Sequence, residues 1–291
     1  MVTSKDTADS FSPRIDSRRV AYYHAIVVTH TIRLVACIGT QSNPFLVSHF
    51  MHHYRALGVG EFLIVLHSDR ADRRDAEVRA RLHACGIQPA REIQQYSARL
   101  KHQHCQEVVR HYCEPDSWVI YADLDELQVY PGGLIPYLDE RDRRGHSFAR
   151  GSLIDRLAPN GELIELQAQP SLWEQFPICA PVTREIVGGW DHKVCAARAC
   201  VPIVDGGSHS VSYGYGAQWN YWLTHVRPRW RERRVEIHHF KWDSTLPHRV
   251  RNKLEGAGGD LDRWHGSEFM DEYRRLDEHL RRHGRIRTRA D

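Results

Sequence analysis

Four apolar runs, Thr31–Gly39, Glu61–Leu66, Ile87–Ile93 and Trp118–Ala122, punctuate the first half of this chain, with helical periodicity between them. Short buried strands separated by a helix's length of sequence do not pair as hairpins. They pair in parallel, through crossovers that lie on the faces of a sheet. The intervening stretches carry the matching signals. Asn43-Pro44 reads as an N-cap followed by proline at the first helical position, Leu46, Phe50, Tyr54 and Leu57 share one face, and Gly58 closes the helix. A charged helix over about 71–84 and another marked by Leu100, His104, Val108 and Tyr112 follow. The fold class is α/β, Rossmann-like, with a mostly parallel central sheet and the site-forming loops at the carboxyl ends of its strands.

After residue 145 the alternation gives way to an α+β half, with strands expected at Ser147–Ile154, Leu163–Leu166, Lys193–Ala197, Ile203–Val204 and Val235–Phe240. Residues 1–20 read as a flexible tail, and Tyr23–Val28 as an additional strand ahead of Thr31. Residues 21–260 then form one body, in two halves of about 21–127 and 128–260. In 261–291, Phe269, Tyr273, Leu276 and Leu280 mark a C-terminal helix that Gly284 closes, followed by a solvated basic tail.

Composition narrows the function. With 291 residues, 41% of them hydrophobic, the chain is long enough to bury a sizeable core. The net charge of only +3 argues against a protein built to coat nucleic acid. The distribution is more telling: residues 114–142 hold eight acids and one base, and 227–253 hold nine bases and three acids. Two such patches can cooperate around a metal-bound anion. The seven cysteines form no Cys-x-x-Cys, the beginning of the chain has no apolar leader, and no apolar stretch reaches spanning length. A cytoplasmic protein with reduced thiols and no transmembrane segment is expected.

The strongest chemical signal is Trp118-Val119-Ile120-Tyr121-Ala122-Asp123-Leu124-Asp125-Glu126-Leu127. An apolar strand delivers two carboxylates at its end, as oxygen ligands for a hard cation such as Mg2+ or Mn2+ held against phosphate oxygens. The competing reading is an acidic turn that merely ends a strand. Glu236-Ile237-His238-His239-Phe240-Lys241-Trp242 is the second signal. A late histidine can complete a shell begun by a carboxylate, the competing reading being a strand with incidental histidines, and strand alternation puts His239 and Lys241 on one face, His238 and Phe240 on the other. His49/His53 and His102/His104 lack a third ligand or a shared face and read as structural.

In order along the chain, these motifs resemble bacterial glycosyltransferases of the GT-A fold, near the family-2-like and family-92-like groups. The likeness runs from about Thr31 to Lys253. Its marks are Asn43 and the helix ending Tyr54-Arg55-Ala56-Leu57-Gly58-Val59, Phe62–Leu66 with Asp69, and the Asp123-Leu124-Asp125-Glu126-Leu127 strand end. Further marks are Gly151-Ser152-Leu153-Ile154-Asp155-Arg156, Trp173-Glu174-Gln175-Phe176-Pro177, His192-Lys193-Val194, Gly207-Ser208-His209 and His239-Phe240-Lys241-Trp242. Such families often have Asn-Glu where this chain has Asn43-Pro44.

The resemblance implies a nucleotide-sugar donor, Mn2+ or Mg2+ as cofactor, and transfer to a small-molecule or glycan acceptor. It assigns Asp125 as direct metal ligand and Asp123 as ribose or metal contact. His239 becomes the late ligand, with His209 as its substitute. Thr40 and Asp69 would recognise the nucleotide, and Lys193 and Lys241 would neutralise the leaving diphosphate. Inverting transfer also needs a carboxylate to deprotonate the acceptor. Asp191, beside the sugar-stacking candidate Trp190, is the first choice. Glu174, beside Trp173, is its rival, followed by Asp155 and Asp205. Two other classes stay open: a metal-dependent phosphohydrolase using Asp123 and Asp125, and a non-catalytic nucleotide- or carbohydrate-binding protein. Retaining transfer is equally compatible with the sequence.

Overall fold

The computed structural model describes residues 31–40, 42–68, 74–95, 97–204, 207–226, 233–255 and 266–288. The tail, the expected strand Tyr23–Val28, Asp69 and Asp205 lie outside the described residues. Strand β1 (Arg33–Gly39) leads into helix α1 (Pro44–Ala56), where the Asn43 side chain accepts the Phe45 N–H at 3.0 Å. Gly58, at φ +99°, turns the chain out of that helix. There follow β2 (Glu61–His67), α2 (Arg74–Ala84), β3 (Arg91–Ile93), α3 (Ala98–Tyr112) and β4 (Trp118–Tyr121). These four strands run parallel in the order β3-β2-β1-β4. Alternation along β1 decides which helix covers which face. Leu34 and Ile38 pack with Phe50 and Leu82 of α1 and α2, and Val35 packs with Val108 and Val109 of α3. The strand expected from Ile87 is shorter than anticipated: Pro89 has no N–H to give, and Ala90 donates to Ile64 O at 2.8 Å as pairing begins.

The second half supplies β5 (Glu126–Val129), α4 (Leu134–Arg143), β6 (Phe148–Leu157), α5 (Leu172–Gln175), β7 (Ile178–Ala180), β8 (His192–Arg198), β9 (Ile203–Val204), β10 (Ser210–Val211), α6 (Ala217–Tyr221), β11 (Val235–His239), α7 (Leu246–Glu255) and α8 (Gly266–His283). π-helical turns occupy Thr183–Val187 and Trp222–Val226. The main sheet continues β4-β8-β6-β11-β5, with β7 beside β6. Strand β8 is antiparallel to β4 and β6, β11 is parallel to β6, and β5 is antiparallel to β11. Only residues 122–125 join β4 to β5, yet β8, β6 and β11 lie between them in the sheet. The sheet therefore curls back on itself. The carboxyl ends of β4, β6 and β11 and the amino ends of β5 and β8 meet at one edge, and the Asp-x-Asp turn sits there.

Two expectations are corrected. Leu163–Leu166 is not a strand. Its carbonyls and the neighbouring amides are satisfied locally instead: Ser244 N donates to Ile164 O at 2.8 Å, and the Gln175 side chain bonds both Gln167 N and Gln167 O. The end of the chain is not simply a solvated tail either. Ile286 is fully buried, and its N–H donates to Gly161 O at 2.9 Å. It closes a cluster in which Leu276 of α8 packs with Leu246 and Val250 of α7. Among the described residues no helix is long and apolar enough to cross a membrane.

Gly161 makes that closure possible. It adopts φ +67°, and a Cβ there would lie 1.8 Å from Ile286 O. Gly145 has a similar φ of +68° but faces open space. Gly145→Ala should cost about 1 kcal/mol, the penalty for a left-handed residue with a Cβ. Gly161→Ala should cost at least ~2 kcal/mol because the clash adds to the same penalty. Urea unfolding of the two variants checks the difference, and equal losses would show that α8 and its following segment do not dock as described.

Candidate functional site

The Asp-x-Asp turn is held from below by one buried ammonium group. Lys193 Nζ, on β8, lies 2.5 Å from Glu126 Oε1 and 3.0 Å from Asp123 Oδ2. Glu126 also accepts the Asp123 N–H through its other oxygen at 3.2 Å. Lys101 of α3 pairs with the remaining Asp123 oxygen. Burial opposes ionisation of Asp123, but the two lysines outweigh it and hold the carboxyl well below the usual range. Burial likewise opposes the Lys193 charge, and Asp123 and Glu126 raise its pKa regardless. Lys193 is thus committed to the turn, with only 3% of the residue exposed.

Asp125 looks the other way, toward β11. Its carbonyl accepts the Phe240 N–H at 2.8 Å, and its Oδ2 lies 3.7 Å from His239 Nε2. His239 Nδ1 is 3.0 Å from Asp155 Oδ1. Asp155, on β6, is almost fully buried and also accepts Trp242 Nε1–H at 3.0 Å, Thr183 N–H at 2.6 Å and Thr183 Oγ1–H at 2.9 Å. It is an anchor that orients His239, not an acceptor-side base. Burial and then Lys241 oppose protonation of His239, but Asp125 and Asp155 together raise it to about 9. Burial opposes ionisation of Asp125 too, and His239 more than offsets it.

Asp125 and His239 suit a hard divalent cation. A carboxylate oxygen and an imidazole nitrogen converge, and the other imidazole nitrogen is fixed by a buried carboxylate, the usual support of a metal-binding histidine. Among the described residues no group of three or more His, Cys, Asp or Glu side chains forms a cage. This donor set therefore fits a cation that takes its remaining ligands from phosphate oxygens and water.

Beside Asp123 a narrow cleft of about 20 Å³, room for about one water, lies along the seam between β1 and β4 and is bordered by Lys101, His102, Lys193 and Ser208. This seam is where the strand order reverses, the usual binding crevice of an open α/β sheet. Thr40 is fully buried at the end of β1, its N–H donating to His67 O at 3.0 Å. Lys241 follows β11, its ammonium 4.8 Å from the centre of the Trp242 ring. Arg249 of α7 donates to Lys241 O and lies 3.4 Å from Asp243 Oδ1, and its charge helps lower the Asp125 pKa. Its Nε is buried without a hydrogen-bond partner among the described residues.

Asp191 lies two residues before Lys193, at the same edge, and its carbonyl accepts the Leu153 N–H at 2.7 Å. Trp190 stacks on Tyr221, with ring centres 4.6 Å apart and planes at 27°. Burial, reinforced by the Asp191 charge, pushes the Tyr221 phenol up to about 12. His209 joins this group rather than the Asp125–His239 pair: its Nδ1 is 2.8 Å from His192 O and its ring packs edge-on to Trp190. Glu174 and Trp173 are not brought here. Glu174 caps α5 through Ser171, and Trp173 packs on His238 and Phe240, the face of β11 opposite His239. His53 and His49 bond Gln128 O and Gln167 O and are structural, as expected. Sequence reasoning missed Lys101, Glu126 and Arg249. Arg249 had a signal in its place in the basic stretch 227–253, and Glu126 in the acidic stretch 114–142 and the Asp-x-Asp strand end.

Neither a protein-family model nor a curated protein matches the sequence. Among solved structures, S. aureus TarS superposes with a TM-score of 0.35 at 9% identity, over 86% of this chain and 43% of that one. Glucosyl-3-phosphoglycerate synthase from Mycobacterium tuberculosis, in complex with Mg2+ and uridine diphosphate, gives 0.33 at 14% identity, over 58% of this chain and 57% of that one. S. aureus TarS 1-349 in complex with UDP-GlcNAc gives 0.36 at 8% identity, over 86% and 73%. This chain spans less than two thirds of the length of the first two.

A cation at His239 Nε2 must displace the proton held there. Mn2+ affinity should therefore rise by roughly tenfold per pH unit from pH 6 until the imidazole deprotonates near its value of about 9. His239→Gln should flatten that dependence, while His238→Gln, on the opposite face, should leave it intact. Without metal the sign reverses. The raised pKa contributes stability that is present below the ordinary 6.5 and is lost as pH rises through about 9. Calorimetric titration and unfolding across this range check both, and a pH-independent affinity would remove His239 from the ligand set.

Proposed function

We propose that the protein is a GT-A glycosyltransferase that moves a sugar from a nucleotide-sugar donor to an acceptor hydroxyl, with Mn2+ or Mg2+ at Asp125 and His239. One observation carries this reading. The Asp-x-Asp turn, placed beside the crevice between β1 and β4, meets a histidine from the far end of the curled sheet, and that histidine is already oriented by a buried carboxylate. Departure of a nucleoside diphosphate concentrates charge on its phosphates, and preorganised cations aimed at that charge are the main electrostatic requirement. A cation held by Asp125 and His239 would supply part of this neutralisation. Lys241 and the partly unpaired guanidinium of Arg249, beside His239 and Asp125, supply the rest. Asp123, kept anionic by Lys101 and Lys193, offers an acceptor to the donor's ribose hydroxyls. Asp191 stands on the acceptor side, where a carboxylate takes the proton of the attacking hydroxyl if transfer inverts the anomeric centre.

The phosphohydrolase reading loses support here. Two lysine partners weaken Asp123 as a nucleophile, while each oxygen keeps a lone pair that can accept a hydroxyl.

A nucleotide-sugar panel with Mn2+, scored by thermal shift and nucleotide release, should single out one donor. Asp125→Asn should abolish release while the fold persists, and full activity in that variant would sink the assignment. Asp191→Asn should retain donor affinity and lose ~10²–10⁴-fold in transfer, the usual contribution of a general base. Normal turnover in Asp191→Asn would point to a retaining reaction or to another base, which the product anomer, read by NMR, decides.

A further inference from the structure

Two guanidinium groups converge on one neutral atom. Arg150, on β6, is buried, and its Nη1 donates to Thr224 O at 3.2 Å and to His225 O at 3.4 Å. Arg234, half-buried just ahead of β11, donates from Nη2 to the same His225 O at 3.1 Å. Like charges held this close repel, and burial strengthens the repulsion. Burial first, then the charge of Arg234, lowers the Arg150 pKa to about 10, and Arg141 acts in the same sense. Arg234 forms no ion pair among the described residues. Arginines are rarely gathered out of water without an anion to meet them.

The imidazole beside them has a polar atom to spare. Burial pushes the His225 pKa down to about 3, so the ring is neutral, and Nε2, 2.7 Å from His209 O, carries its proton. Nδ1 is then an acceptor, buried and without a hydrogen-bond partner among the described residues.

This cluster adjoins Asp191 rather than the Asp125–His239 pair. In the register of β6 with β11, Asp155 faces His239, Leu153 faces Ile237, and Gly151 faces Val235, the residue after Arg234. Asp191 is tied to the middle level through the Leu153 N–H. Val235 and His239 are about 13 Å apart at the rise of a strand, so the arginine pair and the candidate metal pair stand at opposite ends of β11. The contacts that leave the arginines lead to Asp191. The His225 ring lies 4.8 Å from that of Tyr221, whose phenol feels the Asp191 charge, and His192 Nδ1 lies 3.4 Å from Asp191 Oδ1.

We propose that Arg150 and Arg234 bind a phosphate monoester carried by the acceptor, whose hydroxyl then lies at Asp191. The glycosyltransferase reading supplies the word acceptor; the anion site stands without it. One guanidinium fork satisfies a carboxylate, whereas two match a group with three terminal oxygens and a charge of about −1.5 to −2 near pH 7. Its singly protonated form also has an O–H to give to His225 Nδ1.

Calorimetry without donor or metal tests this with inorganic phosphate, glycerol 3-phosphate, succinate and vesicles containing phosphatidic acid. Glycerol 3-phosphate should bind at least tenfold tighter than succinate. Arg234→Gln should weaken it at least tenfold, the scale of a lost charge-assisted hydrogen bond, and Arg234→Lys should recover only part of the loss. Lys241→Gln, at the other end of β11, should leave this affinity unchanged. Both Arg234 variants should keep the wild-type unfolding temperature and the wild-type thermal shift with nucleotide-sugar and Mn2+. Binding of the vesicles in place of glycerol 3-phosphate, with the same loss in Arg234→Gln, would uphold the phosphate and assign it to a lipid headgroup. No binding of any phosphate probe, succinate binding as tightly, or an affinity lost in Lys241→Gln and kept in Arg234→Gln would overturn the proposal. Phosphate binding through Arg234 without any nucleotide-sugar shift would uphold the anion site and remove the glycosyltransferase reading.

Discussion

The architecture turns on Lys193, a buried ammonium group between the carboxylates of Asp123 and Glu126. Burying a charge is costly, and the cost is offset only when partners are close and well placed. Here they are, and they come from different parts of the sheet: the lysine from β8, the carboxylates from the turn after β4 and the first residue of β5. This contact holds the curled second half against the parallel first half. Removing one member of such a cluster leaves an uncompensated charge and costs about 3–5 kcal/mol. The turn is therefore fixed before any ligand arrives, with Asp123 facing the seam between β1 and β4 and Asp125 facing β11.

Much of this frame was legible along the chain. The strand and helix alternation gave the parallel sheet, Asn43-Pro44 gave the start of α1, and period-two alternation separated His239 from His238. These are local patterns, each decided by the geometry of one element. What stayed hidden depends on pairing through space. Lys101 sits on an amphipathic helix among other polar residues, and nothing nearby announces Asp123 as its partner. Asp155 reads as one carboxylate among several until Trp242, Thr183 and His239 are seen to converge on it. Nothing along the chain announces the pairing of Lys193 with Glu126, which only the curled sheet brings about. Leu163–Leu166 fails for the reverse reason. Its composition suits a strand, but Gln175 and Ser244 satisfy the surrounding backbone first.

The two sides of the site differ in how they are held, and that difference has consequences. Asp123, Asp125 and His239 are each paired with a group of opposite sign. Each is kept in its charged form and in place, so little reorganisation is needed when charge develops on a bound phosphate. On the side of Trp190 and Tyr221 the contacts are ring stacking and histidine-to-carbonyl hydrogen bonds, with the charges of Arg150 and Arg234 close by. An aromatic residue can change there without unsettling the ionic pairs of Asp123 and Asp125. Asp191 is where the two systems touch. Its backbone carbonyl is tied to β6 through Leu153 N–H, and its carboxylate faces Tyr221 and His192. If the proposed transfer inverts the anomeric centre, a carboxylate anchored by its backbone to the rigid sheet, with its side chain among rings, keeps its place whichever hydroxyl it meets.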